Sequence, residues 1–291
     1  MADRRRINGP TGISHPPIYD EDLSGSTTRK RGRSEARPLY LQTGVTPSAS
    51  GSAYLEIEQS GGSTGFGMKL TCTVHGPRSL PRSAPFSPYM ILSTHVKYAP
   101  FATRQRKGYL RDVSERDLSI HLETALRGAL VAERWPKSGV DIVVTVIEGD
   151  MARQASVGRG LEEWNTMTVL SGCITVASAA MADAGIDCVD TVTGGVAAVV
   201  MDRNTDIEPF IVIDPVLSEH EIVLAACCVA YLARRDEITH LWYRGCLSRS
   251  DLPMRRSLIA RAILASKGTG KAISPSLVEA LTLPQTISGS L

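Results

Sequence analysis

Clustered metal ligands are missing from this sequence, and aromatic residues are few. Phe, Trp and Tyr make up 5% of the 291 residues. The six cysteines include no C-x-x-C pair, so neither a zinc ribbon nor a dithiol motif is indicated. The six histidines never stand four residues apart, and none lies beside a cysteine at ligand spacing. We therefore expect no metal and no cofactor, and interpret the cysteines as reduced and mostly buried in an intracellular protein.

Membrane-spanning and secretory features are also missing. No apolar run reaches the length needed to span a bilayer, and the N-terminal MADRRRINGP has no apolar core for a secretory signal. We therefore expect no membrane partner. The net charge is only +2, so the total charge does not indicate a class of partner. The distribution of charge along the chain is more informative.

Two enzyme motifs are incomplete. The stretch SKGTGKA (266–272) contains the Gly-Lys of a nucleotide P-loop, but Ala265 holds the place of the leading glycine and no Ser or Thr follows Lys271. Ser171 lies in VLSGC, which lacks the flanking glycines of a G-x-S-x-G nucleophile elbow. Neither motif predicts the chemistry of this chain.

Residues 1–36 are rich in Arg, Ser, Gly and Pro and nearly free of periodic apolar residues. Such a composition cannot bury enough apolar surface to offset the entropy of ordering, so we predict a disordered basic N-terminal tail. Its RKRGR stretch (29–33) is open to two interpretations. It is either a nuclear address or nucleic-acid-binding arm, or part of a plain solvated tail.

Apolar alternation predicts three strands and then a helix in the first half. The strands are expected at 53–59, 65–77 and 89–101. The inward residues of the second strand are Met68, Leu70, Cys72 and Val74. The helix is predicted over 114–136, with Ser114 and Asp117 as an approximate capping box and Pro136 as its terminator.

The second half continues this interleaving. The β-branched run 139–149 predicts a strand buried on both faces, followed by a long polar loop at 150–165. A small-residue helix is expected over about 170–184, ending at Gly185. The remaining elements are strands near 191–200, 209–214, 222–233 and 237–243 and a helix over 250–268. The order predicts a layered α+β domain with helices on one face of a mixed sheet, followed by a C-terminal extension at 271–291.

Two basic features suit contact with a phosphate backbone. The segment 102–112 carries four cations and Tyr109, an aromatic available for stacking, and its cations are Arg104, Arg106, Lys107 and Arg111. Arg78 follows the end of a strand. The alternative for both is a solvated loop.

Several stretches, in this order and spacing, resemble the ribonuclease PH family between residues 36 and 265. They include KLTCTVHGPR, SGVDIVVTVIE, MADAGIDCVD and VIDPVLSEHE. The resemblance implies a ribonuclease PH-like fold over 37–270, with S5-domain-2-like βαβα halves and mixed sheets on which helices pack. Within the family the chain looks most like a core-ring subunit of the eukaryotic RNA exosome.

The resemblance also implies where catalysis would occur. Active members hold inorganic phosphate where a glycine-rich segment enters the second helix, and that place is taken here by Met167, Thr168, Val169 and Leu170. An apolar, β-branched entry is a poor anion site. The family's acid/base aspartate aligns with Ala226, although Asp214 and Glu219 remain nearby. Phosphorolysis needs a phosphate nucleophile and a proton donor, so we expect no enzyme activity.

The function implied is therefore a non-catalytic structural subunit that supports 3′-to-5′ RNA processing and lines the RNA entry channel. The partners implied are other ribonuclease PH-like subunits in a six-membered ring, S1/KH cap subunits, RNA and a separate hydrolytic nuclease. The implied location is nucleus and nucleolus, and also cytoplasm. The alternatives are an active phosphate-dependent 3′-to-5′ exoribonuclease and a free-standing RNA-binding protein.

Three low-charge strands suggest dependence on neighbours. The runs DIVVTVIE, TVTGGVAAVV and EIVLAACCVAYL look apolar on both faces, and such strands need cover on both sides. We expect ring neighbours to supply this cover. The alternative is that the chain's own helices suffice.

Overall fold

The computed structural model describes residues 29, 31–58, 67–81, 83–102, 112–149, 162–201, 208–216, 219–220, 222–245, 247 and 251–282. These residues form nine strands: β1 Leu39–Thr43, β2 Gly51–Ile57, β3 Met68–Ser79, β4 Ile91–Tyr98, β5 Ser138–Glu148, β6 Val192–Met201, β7 Phe210–Ile213, β8 Ile222–Leu232 and β9 Glu237–Gly245. They also form three α-helices: α1 Val113–Arg127, α2 Glu162–Asp183 and α3 Leu252–Thr282.

The strands make two sheets that lie on opposite sides of α2. One has five strands in the order β1-β2-β3-β5-β4, in which only β4 and β5 pair in parallel, and the other is antiparallel with the order β7-β6-β8-β9. Helix α2 contacts β2 and β3 of the first sheet and β6 and β8 of the second, while α3 packs on the far side of β6 and β8. The layers therefore run sheet, helix, sheet, helix. This corrects the expectation of helices on one face of a single sheet.

Small residues allow α2 to approach both sheets closely. A Cβ placed on Gly51 of β2 would lie 2.3 Å from the backbone nitrogen of Ala184. A Cβ on Gly194 of β6 would lie 2.2 Å from the carbonyl oxygen of Ser171. Neither distance is possible for real atoms, so glycine is required where each strand meets the helix.

One helix among the described residues is long and apolar enough to cross a membrane, which the sequence analysis did not expect. It is Trp164–Asp183 of α2, and 83% of its most apolar window is buried inside the fold. Cover from sheets on both sides is the environment of a core helix, and it explains why this helix has no polar stripe.

The predicted strands are found at their expected positions, but β1 was missed and α1 is shorter than predicted. The N-cap of α1 is Asp112 rather than Ser114, and the carboxylate of Glu115 completes the capping box by accepting from the Asp112 N–H. The helix ends at Arg127 instead of Pro136. Two residues further on, the Ala129 carbonyl accepts a backbone hydrogen bond from the Val189 N–H at 2.8 Å.

Three predicted boundaries are also wrong. Helix α2 begins at Glu162, so only 150–161 of the expected loop remain, and these lie outside the described residues. Helix α3 continues to Thr282 and buries Ile273, so 271–282 belong to the folded domain rather than to an extension. Arg29, Arg31 and Arg33 hydrogen-bond to residues 213 and 214, so this part of the expected disordered tail is attached to the domain, and residues 1–28 and 30 lie outside the described residues.

The five cysteines that the structure describes are all free, and four of them are buried. Burial raises the pKa of Cys173 to about 12 and, helped by the nearby charge of Asp187, that of Cys188 to about 11. The interpretation that the cysteines are mostly buried is confirmed for these five residues. Cys246 lies outside the described residues.

Candidate functional site

The four residues at the expected phosphate position lie within α2 rather than at its start. The helix begins at Glu162, five residues before Met167. In an α-helix the N–H of each residue donates to the carbonyl four residues earlier, and only the first four N–H groups stay free. The N–H groups of 167–170 therefore donate to the carbonyls of 163–166. The backbone at this position has no donor left for an anion.

The side chains at this position are part of the core. Met167 and Leu170 are fully buried, and Thr168 and Val169 are almost so. All of the apolar ones belong to the main core cluster between the two sheets. A phosphate placed here would have to lose its hydration without gaining a compensating charge, which is strongly unfavourable. The expected loss of anion binding therefore has a physical basis in this fold.

The acid/base position holds a methyl group. Ala226 is buried in β8 and pairs with Ala198 of β6 and Arg244 of β9. Its side chain belongs to the same core cluster as Met167 and Leu170. Residues 222–232 are all described, and none of them is a carboxylate. Strand β8 therefore offers no carboxylate for the acid/base role.

Asp214 is a carboxylate that could replace the acid/base group missing at Ala226, but it forms ion pairs with arginines. Arg37 donates to its two oxygens from Nε at 2.8 Å and from Nη2 at 2.9 Å, and also from the backbone N–H at 3.0 Å. Arg31 adds a fourth donor at 2.9 Å. Burial alone would raise the pKa of Asp214, but Arg37 first and Arg31 second outweigh it and hold this pKa well below its ordinary value. A carboxylate so stabilised does not exchange protons near neutral pH.

Glu219 is held in the same arrangement. Its side chain is 2% exposed, and both oxygens accept from Arg31 Nη2 at 3.0 Å. Arg29 Nη1 lies 3.2 Å from Oε2. Sequence reasoning missed these partners because the arginines and the carboxylates stand more than 170 residues apart, with no local pattern connecting them.

The candidate RNA-contacting cations are placed only in part. Arg104, Arg106, Lys107 and Arg111 lie outside the described residues, so their role stays a prediction. The residues on either side fix where this segment leaves and re-enters the fold. It departs after Ala102, beyond the end of β4, and returns at Asp112, the N-cap of α1.

Arg78 is described and stands at the exposed end of β3. Its side chain is 65% exposed and its guanidinium pairs with the carboxylate of Asp141 on β5. It borders an open groove of about 370 Å³ whose apolar wall includes Leu80 and Ile91. Asp141 offsets part of the Arg78 charge, so Arg78 alone is a weak anion site.

A metal centre finds no support within the described ranges. No group of three or more His, Cys, Asp or Glu side chains there could hold an ion. The buried carboxylates Asp214 and Glu219 are already neutralised by arginines, which would repel a cation.

Comparison with known proteins finds a family model and full-length relatives that match this chain. The model of the RNase PH domain, described as "3′ exoribonuclease family, domain 1", matches residues 35–187. The exosome complex component MTR3 of Chaetomium thermophilum is 60% identical over 283 residues, covering 96% of this chain and 99% of that relative. The exosome complex component mtr3 of Schizosaccharomyces pombe is 32% identical over 278 residues, covering 96% of each chain.

A solved structure shares the fold. The crystal structure of rice (Oryza sativa) Rrp46 superposes with a TM-score of 0.64, covering 85% of this chain and 98% of that one. The sequence identity is only 16%, so this likeness concerns the fold alone.

Proposed function

Because the chain belongs to the RNase PH family of 3′ exoribonucleases, we propose that it is a non-catalytic structural subunit of the RNA exosome core ring. It contributes architecture and part of the RNA entry channel, while a separate hydrolytic nuclease cleaves the RNA. Support for the assembly comes from relatives named exosome complex components that match this chain over nearly its full length.

The observation that carries the non-catalytic assignment is the early start of α2. Residues 167–170 occupy the interior of a buried helix, where their N–H groups are already used. Ala226 supplies no proton, and Asp214 and Glu219 are neutralised by arginines. Phosphorolysis would need both an anion site and a proton donor, and none of these residues provides either.

The proposed partners are other RNase PH-like subunits in a six-membered ring, S1/KH cap subunits and RNA. The RNA contacts are assigned to Arg104, Arg106, Lys107 and Arg111, with Arg78 in a minor role. A dense group of cations suits phosphates, which carry no sequence information, better than base edges. The proposed location is nucleus and nucleolus, and also cytoplasm.

The catalytic part of the proposal is tested with the purified full chain. Incubation with single-stranded RNA, inorganic phosphate and magnesium should release no nucleoside diphosphates. The matched control is Thr168→Val, which keeps the side-chain shape at the aligned phosphate position. Nucleoside diphosphates made by the wild-type chain and lost in the variant would show that the position is active and would overturn the assignment.

The RNA part is tested by neutralising charge in the assembled complex. A variant with Arg104, Arg106, Lys107 and Arg111 all changed to Gln should bind single-stranded RNA more weakly. Its plot of log affinity against log salt should flatten by roughly 0.7 for each lost phosphate contact. The control changes four exposed arginines elsewhere, Arg116, Arg127, Arg234 and Arg235, to Gln. Equal slopes in both variants would contradict the assigned role.

A further inference from the structure

Two of the three arginines in RKRGR, Arg29 and Arg31, are largely buried, whereas Arg33 is exposed; the sequence leaves this stretch open as an address, a nucleic-acid-binding arm or a solvated tail. The side chain of Arg29 is 7% exposed and that of Arg31 is 16% exposed. Arg37, just beyond the stretch, is 1% exposed. A basic segment that serves as an accessible signal or as an arm for RNA would present its cations to solvent.

The guanidinium of Arg29 is surrounded by acceptors. Its Nη2 donates to the carbonyls of Gly32 and Glu35 at 2.9 Å and to that of Ile213 at 3.0 Å. Its Nη1 lies 3.2 Å from the carboxylate of Glu219 and 3.3 Å from the carbonyl of Asp214. Arg29 thus folds its own segment into a turn and ties that turn to the end of β7.

Arg31 joins the two buried carboxylates. Nη1 lies 2.9 Å from Asp214 and Nη2 lies 3.0 Å from both oxygens of Glu219. These are charge-assisted hydrogen bonds of a fork-shaped donor, the strongest kind in proteins. Removing Arg31 would leave two buried carboxylates with fewer donors, which is the costly way to break a buried ion pair.

The same segment is held by two further elements. The backbone carbonyl of Arg33 accepts from the Ile213 N–H at 3.0 Å, and the Arg33 guanidinium lies 4.0 Å from the centre of the Phe210 ring. Arg261 of α3 reaches Ser34 at 2.7 Å. The contacts therefore come from β7, from the turn after it and from α3.

We propose that Arg29 and residues 31–37 form a structural clasp on the four-stranded sheet, and that Arg29 and Arg31 of RKRGR are consequently unavailable in the folded chain to an import receptor or to an RNA backbone. The clasp neutralises Asp214 and Glu219, the two carboxylates that remain near the degenerate catalytic position. The inference does not depend on membership of the exosome, because it rests only on contacts within the chain.

The first test compares two arginines of the full chain, one largely buried and one exposed. Arg31→Gln should lower the melting temperature by about 5 °C or more, because it breaks buried ion pairs. Arg116→Gln removes the same charge from an exposed position of α1 and should change the melting temperature by less than about 1 °C. An address or a solvated arm predicts no difference between them, so equal melting temperatures would overturn the proposal.

The second test uses only the wild-type chain and so does not depend on a variant that folds. Trypsin should cleave after Arg31 and Arg33 at least about tenfold more slowly in the native chain than in a urea-unfolded sample, because cleavage in a folded segment requires local opening. Mass spectrometry of the products identifies the bonds cut. Cleavage after Arg31 at the same rate in both samples would show an accessible segment and would refute the clasp.

Discussion

The two sheets are built from similarly apolar strands, yet only the four-stranded sheet is covered on both faces. In β8, Ala226 and Cys228 face the core around α2, while Cys227 and Val229 face α3. In β5 the burial alternates instead. Val140, Ile142, Val144 and Val146 are buried, and the residues between them are only half-buried. The expectation that β5 is buried on both faces is therefore wrong, whereas β8, expected to need cover from ring neighbours, is covered on both faces within the chain.

This difference shows that composition does not decide how many faces of a strand are covered. A β-branched run suits any pleated surface that is at least half-buried. Helix α3 provides the second layer for β6 and β8. No described element packs on the outer face of β5. Of the three strands that we expected ring neighbours to cover, β6 and β8 are thus covered by the chain's own helices, whereas no described helix covers the outer face of β5.

The largest expected effect comes from adding one methyl group where the covered sheet meets α2. In Gly194→Ala the new Cβ would overlap the Ser171 backbone, so strand and helix must separate. We expect a loss of about 3 kcal/mol or more in the free energy of unfolding, measured by urea denaturation. The control is Gly268→Ala in α3, where nothing lies within 4 Å and a gain of about 0.5–1 kcal/mol is expected. Similar changes in both variants would mean that the close approach is absent.

The next largest effect is expected from alanine substitutions on β5, which compare the stability contributed by its two faces. Ile142→Ala removes a fully buried side chain and should cost about 2–5 kcal/mol. Ile147→Ala makes the same change on the half-buried face and should cost about 1 kcal/mol or less. Urea denaturation of the chain alone measures both. Equal losses would show that the outer face of the five-stranded sheet is covered after all.

The smallest expected effect concerns the junction between the two halves. His121 of α1 and His240 of β9 share a hydrogen bond of 3.1 Å, and Trp242 stacks on His121. Burial lowers the pKa of both histidines below the ordinary 6.5. The neighbouring His121 lowers the pKa of His240 further, whereas the charge of Asp117 partly opposes the lowering of the His121 pKa. The neutral rings are therefore favoured in the folded state.

The pKa values of His121 and His240 are depressed in the folded state. The contribution of the two histidines to the free energy of unfolding is therefore fully present above about pH 6.5, and it is lost as the pH falls through their lowered pKa values. Melting temperatures measured between about pH 8 and pH 5 should fall less in His121→Asn than in the wild type. A pH dependence that His121→Asn leaves unchanged would show that the pair does not titrate in this range.

Much of the fold was determined by local patterns in the sequence. The alternation of apolar and polar residues predicted that Met68, Leu70, Cys72 and Val74 lie on the buried face of β3, because successive side chains of a strand point to opposite sides. Gly185, at φ +67°, marked the end of α2, because a left-handed residue is favourable only without a Cβ. The apolar residues at 167–170 and at 226 likewise predicted a poor site for an anion or a proton donor.

Only the tertiary structure decided which faces are covered, where α2 and α3 begin and end, and what the tail does. Residues 162–165 looked like loop in isolation, but packing between two sheets extends the helix through them. The sequence left RKRGR open as an address, a nucleic-acid-binding arm or a solvated tail, because the carboxylate partners of its arginines are more than 180 residues away. The local sequence determines secondary-structure propensity and the periodicity of apolar residues. Burial and ion pairing depend instead on which distant segments of the chain come into contact. That is why the strands were predictable and the clasp was not.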